Sequence, residues 1–258
     1  FYMDLLNPTV SLNSTNVSSV PAIGFQEATP SVVPLCKENI SISKSDWDSF
    51  ETSWDFAEHP LVKWSHDLWD ATSIGATMAY YYHGERPEVS CPVELCYLLW
   101  QGECNDRFAK LKANEEELNR IFIDIYGLQD ELTPEVEDKD VTVRRADLGR
   151  DIRSLISYAV GCMVGRYSIY KKGLMFAGGD WSEEPFLQAL CDDAGMQYVQ
   201  AEGNMIPMMD LNPQKVVMPD EDGILPITDD EYFYDDIVTL FVNWVRIVYG
   251  EATLEENL

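Results

Sequence analysis

The chain has 258 residues, of which 46% are hydrophobic and 12% aromatic, which is too apolar for a disordered protein. Its formal net charge of −27 should repel DNA phosphates over most of the surface, so a free-standing DNA-binding protein is not expected. The sequence lacks a run of 18 apolar residues, and we therefore expect no membrane-spanning helix.

The cysteines and the first residues bear on the redox state of the thiols, the location of the protein and its completeness. Six cysteines in a chain of this length do not form a disulfide framework, and Cys162 lies in an apolar stripe. The opening Phe1-Tyr2-Met3-Asp4 is typical of neither a start of translation nor a signal peptide. We therefore expect reduced thiols, a cytoplasmic location and an internal piece of a longer protein.

The N-terminal third is predicted to change from extended to helical structure. Residues 1–35 contain two charged side chains among many Ser, Thr, Asn, Pro and Val residues, which favours short extended segments. Ser45-x-x-Asp48 is typical of a helix N-terminus and predicts a helix that carries Trp47, Phe50 and Trp54. His59-Pro60 would end that helix, and the aromatic residues of 61–82 predict a second one.

Two longer helices are predicted in the middle of the chain. The first covers 92–126, where Cys104, Leu111, Leu118 and Ile125 fall seven residues apart, and Gly127 would end it. An acidic segment with at most a short helical turn follows over 130–140. The second helix covers 146–166, and its apolar positions have the spacing of one buried face: Leu148, Ile152, Leu155, Ile156, Ala159, Val160 and Met163.

The C-terminal part is predicted to combine two helices with an irregular segment. A weaker helix covers 182–195, residues 201–228 are irregular, and Thr228-Asp229-Asp230-Glu231 would cap a last helix. The fold class is therefore mainly α, an irregular helical bundle with a short extended or β segment at the N-terminus. We expect three parts: the tail of a preceding domain (1–35), a helical spacer domain (36–170) and a helical segment with a long acidic loop (171–258).

Basic residues are concentrated in one window of this acidic chain. Residues 144–172 carry a net charge of about +5, which leaves −32 for the rest. Such a cluster could contact DNA phosphates, or its arginines could pair with neighbouring carboxylates to hold helices together. We refer to these seven residues as the basic cluster: Arg144, Arg145, Arg150, Arg153, Arg166, Lys171 and Lys172.

Other groups of chemically active residues favour structural roles. Cys91, Cys96 and Cys104 with His83 do not match a zinc spacing. The carboxylates at 135–137 and 220–222 lie in flexible acidic loops, where a nuclease metal would not be held rigidly. Gly161-x-x-x-Gly165 indicates close packing, and the methionines at 205, 208 and 209 fit either a gap-filling loop or a docking loop.

Several long stretches resemble a known family. They are 38–56, then 111–143 (LKANEEELNRIFIDIYGLQDELTPEVEDKDVTV), which continues through 144–167 (RRADLGRDIRSLISYAVGCMVGRY), and finally 227–258 (ITDDEYFYDDIVTLFVNWVRIVYGEATLEENL). In this order they are similar to the PglX family of bacterial BREX phage defence. Its members are large adenine-specific DNA methyltransferases.

The resemblance implies a parent enzyme that binds S-adenosylmethionine and methylates an adenine amino group. That chemistry needs a glycine-rich turn after a strand and an Asn-Pro-Pro-Tyr-like loop for the flipped base. Here Asn7-Pro8 is followed by Thr9, Asn212-Pro213 is followed by Gln214, and no apolar strand precedes the glycines of 176–180. We therefore expect no catalytic residue, metal or cofactor site in this segment, and S-adenosylmethionine only in the full-length parent.

Two functions remain open for a segment of this kind. The first is a non-catalytic helical segment that orients catalytic and target-recognition parts around DNA, with the basic cluster near the phosphates. The alternative is an acidic protein-interaction module that docks other BREX proteins, because its −32 remainder would favour basic partners. In the first hypothesis DNA is reached through the full-length parent.

Overall fold

The structure, a computed structural model, describes residues 25–72, 92–193, 198–201, 204–207, 216–219 and 223–258. Within them helices dominate, so the predicted mainly α fold is confirmed. The elements are α1 (Phe25–Asp48), α2 (Pro60–Thr72), α3 (Val93–Tyr126), α4 (Leu148–Met163), α5 (Glu184–Asp193), β1 (Tyr198–Ala201), β2 (Asn204–Pro207), α6 (Ile237–Tyr249) and α7 (Leu254–Asn257), with 3-10 turns at Asp138–Asp140 and Glu251–Thr253.

Helix α1 corrects two predictions for the N-terminal region. It begins at Phe25, so residues 25–35 are helical rather than extended, and residues 1–24 lie outside the described part. Ala28 and Val32, four residues apart, are buried, so the packing of one face outweighs the two prolines inside the helix. Ser45 lies near the end of α1 and does not cap a new helix.

The segment after α1 is a set of turns rather than the predicted helix. Phe50 is buried, whereas Trp54 is fully exposed, so these aromatic residues do not share a helical face. Pro60 begins α2 instead of ending a helix, because its fixed φ suits the first helical position. The Leu61 N–H donates to His59 Nδ1 (3.3 Å), so His59 caps the helix.

The predicted helices α3 and α4 are confirmed within a few residues. Helix α3 ends at Tyr126, and Gly127 follows with a φ of 67°. Helix α4 is capped by Asp147, whose carboxylate accepts the Arg150 N–H (2.7 Å). Its buried face includes Tyr158 and Cys162, whereas Leu148 and Ile156 of the predicted apolar set are exposed.

The C-terminal region differs from the prediction in its cap and in a small sheet. Helix α6 is capped by Asp236, whose carboxylate accepts the Thr239 N–H (2.7 Å); the predicted cap at Thr228 is wrong. Strands β1 and β2 form an antiparallel hairpin, with Val199 opposite Ile206, in a region where no strand was predicted. The weaker helix is confirmed as α5.

The chain forms two compact units. The first comprises the described residues of 1–43 together with 107–143, and its core contains Phe108, Leu111, Val141 and Val143. The second comprises the described residues of 44–106 and 144–258. The predicted boundaries at 35 and 170 stay predictions.

The core of the second unit is built mainly on α2, α3, α4 and α6. Tyr158 stacks on Tyr167 with ring centroids 5.0 Å apart, and Trp244 meets the Tyr158 ring edge to face at 6.4 Å. The buried Ser65 hydroxyl donates to the Val248 carbonyl (2.7 Å) and so ties α2 to α6. In the described part of the chain no single helix is long and apolar enough to cross a bilayer; α6 and the 251–257 stretch pass that test only as a pair bent by 114°.

Candidate nucleic-acid interface

The basic cluster lies entirely in the second unit, along α4 and its two flanking segments. Arg144 and Arg145 precede α4, Arg150 and Arg153 belong to it, and the other three follow it: Arg166, Lys171 and Lys172. An isolated bridge between Ser168 and Lys171 shapes the turn after the helix. The seven residues are thus close along the chain, and the structure brings two of them, Arg144 and Arg150, to the same Phe50 ring.

Two arginines of the cluster pack on the turn after α1. The Arg144 guanidinium lies 4.0 Å from the centroid of the buried Phe50 ring, and that of Arg150 lies 5.3 Å from it. The Arg144 backbone N–H also donates to Asp46 (3.2 Å). These contacts stabilise the fold of the second unit.

A buried carboxylate organises the start of α4. Asp151 is almost fully buried and accepts hydrogen bonds from the Trp100 indole N–H (3.1 Å) and the Asp147 backbone N–H (3.0 Å). The Arg150 Nε lies 2.8 Å from its other oxygen, and Arg150 Nη2 donates to the Arg145 carbonyl (2.9 Å). Arg150 is therefore committed to a structural ion pair.

A second carboxylate holds the last residue of the cluster. Glu58, nearly buried, lies 3.1 Å from Lys172 Nζ and 2.8 Å from His66 Nδ1. Burial opposes ionisation of Glu58, but the hydrogen bonds and charges of His66 and Lys172 outweigh it and hold its carboxyl pKa below the usual range. Lys172 therefore compensates a buried negative charge.

Arg166 is exposed but is bonded to its neighbour. Its Nε donates to the Tyr167 hydroxyl (3.1 Å), and its guanidinium lies 5.5 Å from that ring. Nearby Glu51 accepts a hydrogen bond from Ser157 (3.2 Å). Burial raises the pKa of the Glu51 carboxyl, an effect that the Ser157 hydrogen bond and the Arg166 charge partly offset.

Arg153 and Lys171 differ from the rest of the cluster. Both side chains are exposed, and neither makes an ion pair with a residue that the structure describes. Arg145 is also exposed. Four members of the cluster thus have structural contacts through their side chains, whereas contact of the exposed Arg153 and Lys171 with DNA phosphates stays a prediction.

Those of the other sequence candidates that the structure describes do not come together as a site. Cys96 and Cys104 are buried in the core of the second unit, whereas Cys91 and His83 lie outside the described residues. The exposed Glu137 is paired with Lys139 (2.6 Å), and the acidic residues 220–222 also lie outside the described part. No group of three or more potential metal ligands occurs among the residues described.

The glycine and methionine candidates have limited roles. Gly161 is contacted by the Tyr167 ring, which would lie 2.7 Å from an added Cβ, so this glycine allows close packing as predicted. Met205 lies in β2, whereas Met208 and Met209 lie outside the described residues. A methionine docking loop therefore stays a prediction.

Sequence reasoning missed the buried polar residues that position the cluster. His59 is 2% exposed, and burial lowers its pKa to about 3, although a hydrogen bond to the Asp151 backbone and the charge of Glu58 act in the opposite direction. His59 is therefore a neutral imidazole that links the start of α2 to α4. The His59-Pro60 pair carried the signal, since an acceptor before a proline can also begin a helix.

Comparison with known proteins finds similarity to two adenine-specific methyltransferases. No protein-family model matches it. The adenine-specific methyltransferase PglX of Lacticaseibacillus casei (strain Zhang) is 40% identical over 259 residues, which align with the whole of this chain. Over its whole length, the chain is therefore similar to one segment of this PglX protein. It spans 18% of the length of that PglX protein.

A second relative is similar to nearly the whole of this chain. The adenine-specific methyltransferase BrxX of Escherichia coli O9:H4 (strain HS) is 29% identical over 272 residues. The alignment covers 98% of this chain and 18% of BrxX. The PglX similarity therefore extends beyond the stretches quoted in the sequence analysis and includes residues 57–103 and 170–222.

Proposed function

We propose that this chain is a non-catalytic helical segment of an adenine-specific DNA methyltransferase of a BREX-type system. In the complete protein it orients the catalytic and target-recognition parts around DNA, with the basic cluster near the phosphates. The observation that carries this proposal is the exposure of Arg153 and Lys171 on a rigid, internally paired scaffold. Phosphate contacts fix register and orientation on a duplex without reading its sequence.

The charge distribution supports a positioning role rather than independent binding. Arg150 and Lys172 are neutralised by Asp151 and Glu58, which leaves few cations to release counterions from DNA. An acidic chain with a few available cations would bind DNA weakly by itself. Within a larger enzyme, the same cations would keep the duplex at one face and the acidic surface would keep it away from others.

The described residues do not fit S-adenosylmethionine. Gly178 and Gly179 have positive φ angles, but they lie in bends between the Ser168–Lys171 turn and α5, without a preceding strand. Strand β1 pairs with β2 as a hairpin and does not lead into a helix whose N-terminus could face a cofactor. The complete protein would therefore bind S-adenosylmethionine outside these residues.

The test is a salt titration of DNA binding by the complete protein that carries this segment. The double substitution Arg153→Gln with Lys171→Gln should weaken binding to a target duplex about tenfold at low salt and reduce the slope of log K against log[salt] by about 2. The matched control for the single substitution Arg153→Gln is Lys37→Gln, which removes one charge from an exposed lysine of the first unit. An unchanged slope, or an equal loss in the control, would contradict the proposal.

A further inference from the structure

A surface segment of the second unit presents aromatic and apolar side chains to solvent. Ile227 is 88% exposed and Tyr234 is 81% exposed, and Ile224, Tyr232 and Phe233 are exposed as well. Single exposed apolar residues are ordinary, but five within eleven residues form a patch of the kind that marks an interaction site. We call residues 223–235 the acidic-aromatic segment.

The backbone of the acidic-aromatic segment is held in place. The buried Asp236 carboxylate accepts hydrogen bonds from the backbone N–H groups of Tyr232 (2.7 Å) and Phe233 (2.8 Å) while it caps α6. The Ile237 N–H donates to the Pro226 carbonyl (3.0 Å), and Leu225 packs against the core. The exposed rings are therefore attached to an ordered backbone, which lowers the entropic cost of binding a partner.

The charge of this segment indicates what kind of partner it fits. Asp229, Asp230, Glu231 and Asp235 flank the rings, and none of them makes an ion pair with a described residue. There is no Lys or Arg between Gly223 and Asp236. A nucleic acid would be repelled, whereas Arg and Lys side chains could lie over the rings and pair with the carboxylates.

We propose that the acidic-aromatic segment is a docking surface for a basic, Arg- and Lys-containing segment of a protein. The proposal goes beyond the role of the basic cluster and depends on different residues, so the two can fail separately. Recognition combines aromatic faces and carboxylates on one fixed backbone.

The first experiment separates the contribution of the aromatic rings to peptide affinity from the contribution of net charge. A fluorescently labelled peptide of roughly 15 residues that alternates Arg with Leu is titrated with the 258-residue chain and with the triple variant Tyr232→Ser, Phe233→Ser, Tyr234→Ser. The variant keeps the net charge and should bind about tenfold more weakly, because the cation–π and apolar contacts are removed. Equal affinity would overturn the proposal, since attraction would then depend on net charge alone. Absence of peptide binding to the unmodified chain would overturn it too.

The second experiment separates these acids from acids elsewhere. Neutralising Asp229, Asp230 and Glu231 to their amides should weaken peptide binding about tenfold, whereas the same treatment of Asp130, Glu131 and Asp140 should change it less than about threefold. The control residues are exposed and belong to the first unit, so the total charge is matched. Equal losses in the two variants would overturn the proposal.

Binding of a different partner to the acidic-aromatic segment would give a different result in these experiments. If the ring variant lost binding to a DNA duplex rather than to the peptide, the surface would bind nucleic acid and the proposal would be wrong. If it lost a self-association of the chain measured by sedimentation, with the peptide unbound, the occupant would be a second copy and the proposal would again be wrong. Because the rings are exposed, the triple ring variant should keep the melting temperature of the unmodified chain. If its melting temperature falls, the single substitution Tyr234→Ser is used instead and should weaken peptide binding about threefold. Unchanged affinity of that single variant would contradict the proposal.

Discussion

Replacing Asp151 with alanine should lower the free energy of unfolding by about 3 kcal/mol, because three donors lose a buried acceptor at once. These donors are the Trp100 indole N–H, the Asp147 backbone N–H and the Arg150 guanidinium. Arg150 is partly exposed, so water can solvate it again and the loss stays near the lower end for a broken buried ion pair. In thermal unfolding followed by circular dichroism, the midpoint should fall by about 6–12 °C.

The matched control for Asp151 is Asp147→Ala. That substitution removes the side-chain cap of α4 from an exposed position and should cost about 1 kcal/mol, or a fall of about 2–4 °C. Equal effects of the two substitutions would contradict the central role of Asp151. The comparison therefore separates a buried polar network from an ordinary helix cap.

Stability should also decrease as the pH falls from about 7.5 to about 5, because of His59. Its imidazole has a pKa of about 3 in the folded chain and of 6.5 as the ordinary value. The folded pKa is depressed, so the unfolded chain binds the extra proton between these values, and the free energy of unfolding rises with pH in that window. The expected loss at about pH 5 relative to about pH 7.5 is about 2 kcal/mol.

The physical reason is the environment of the imidazole. Protonation would place a buried charge at the start of α2, where the helix dipole disfavours a cation, and would remove the acceptor that Leu61 uses. Lowered carboxyl pKa values at Glu58 and Asp236 also make the fold sensitive to acid, but mainly below about pH 4.5. Burial raises the pKa of the Glu51 carboxyl, which acts on the pH dependence with the opposite sign, so substitutions of His59 are needed to isolate its contribution.

Urea unfolding at several pH values measures this dependence. His59→Asn keeps a side-chain acceptor before Pro60 but does not titrate, so its stability should change by less than about 0.5 kcal/mol across the same window. His66→Asn, in which His59 is intact, should retain the loss. A steep dependence in the His59 variant would show that another group causes it.

The sequence was sufficient to predict the helices whose apolar residues repeat regularly. In α3 the buried residues Cys96, Trp100, Cys104, Phe108 and Leu111 follow the helical period closely, so both its existence and its end at Gly127 could be predicted. Helix α4 was predicted for the same reason. Periodicity depends on local spacing, which is visible in the sequence.

The failures arose where distant contacts decide local structure. Ser45 and Thr228 have the residue types of helix caps, but Asp236 caps α6 because its carboxylate is buried and satisfies three backbone N–H groups. Proline and serine content suggested extended structure up to residue 35, yet packing of Ala28 and Val32 keeps this part helical. Composition alone does not contain that packing energy.

The candidate site was found only in part. The basic cluster is visible in the sequence as a local excess of Arg and Lys. The sequence does not show which members make structural contacts, because the contacts join residues far apart in the chain. Arg144 and Arg150 contact Phe50, and Lys172 contacts Glu58, each across about a hundred sequence positions. Tertiary contacts involve the other side chains of the cluster more than those of Arg153 and Lys171, so these two residues are the most informative to substitute.

The most direct test of the account is photocrosslinking to DNA in the complete protein. A photoreactive p-benzoylphenylalanine replaces Ile156, an exposed residue three positions after Arg153 in α4, or Leu132, an exposed residue of the first unit. With a bound target duplex, the account predicts crosslinks from position 156 that are well above those from position 132 and that disappear at high salt. Absence of crosslinks from position 156, while the protein still binds the duplex, would contradict it.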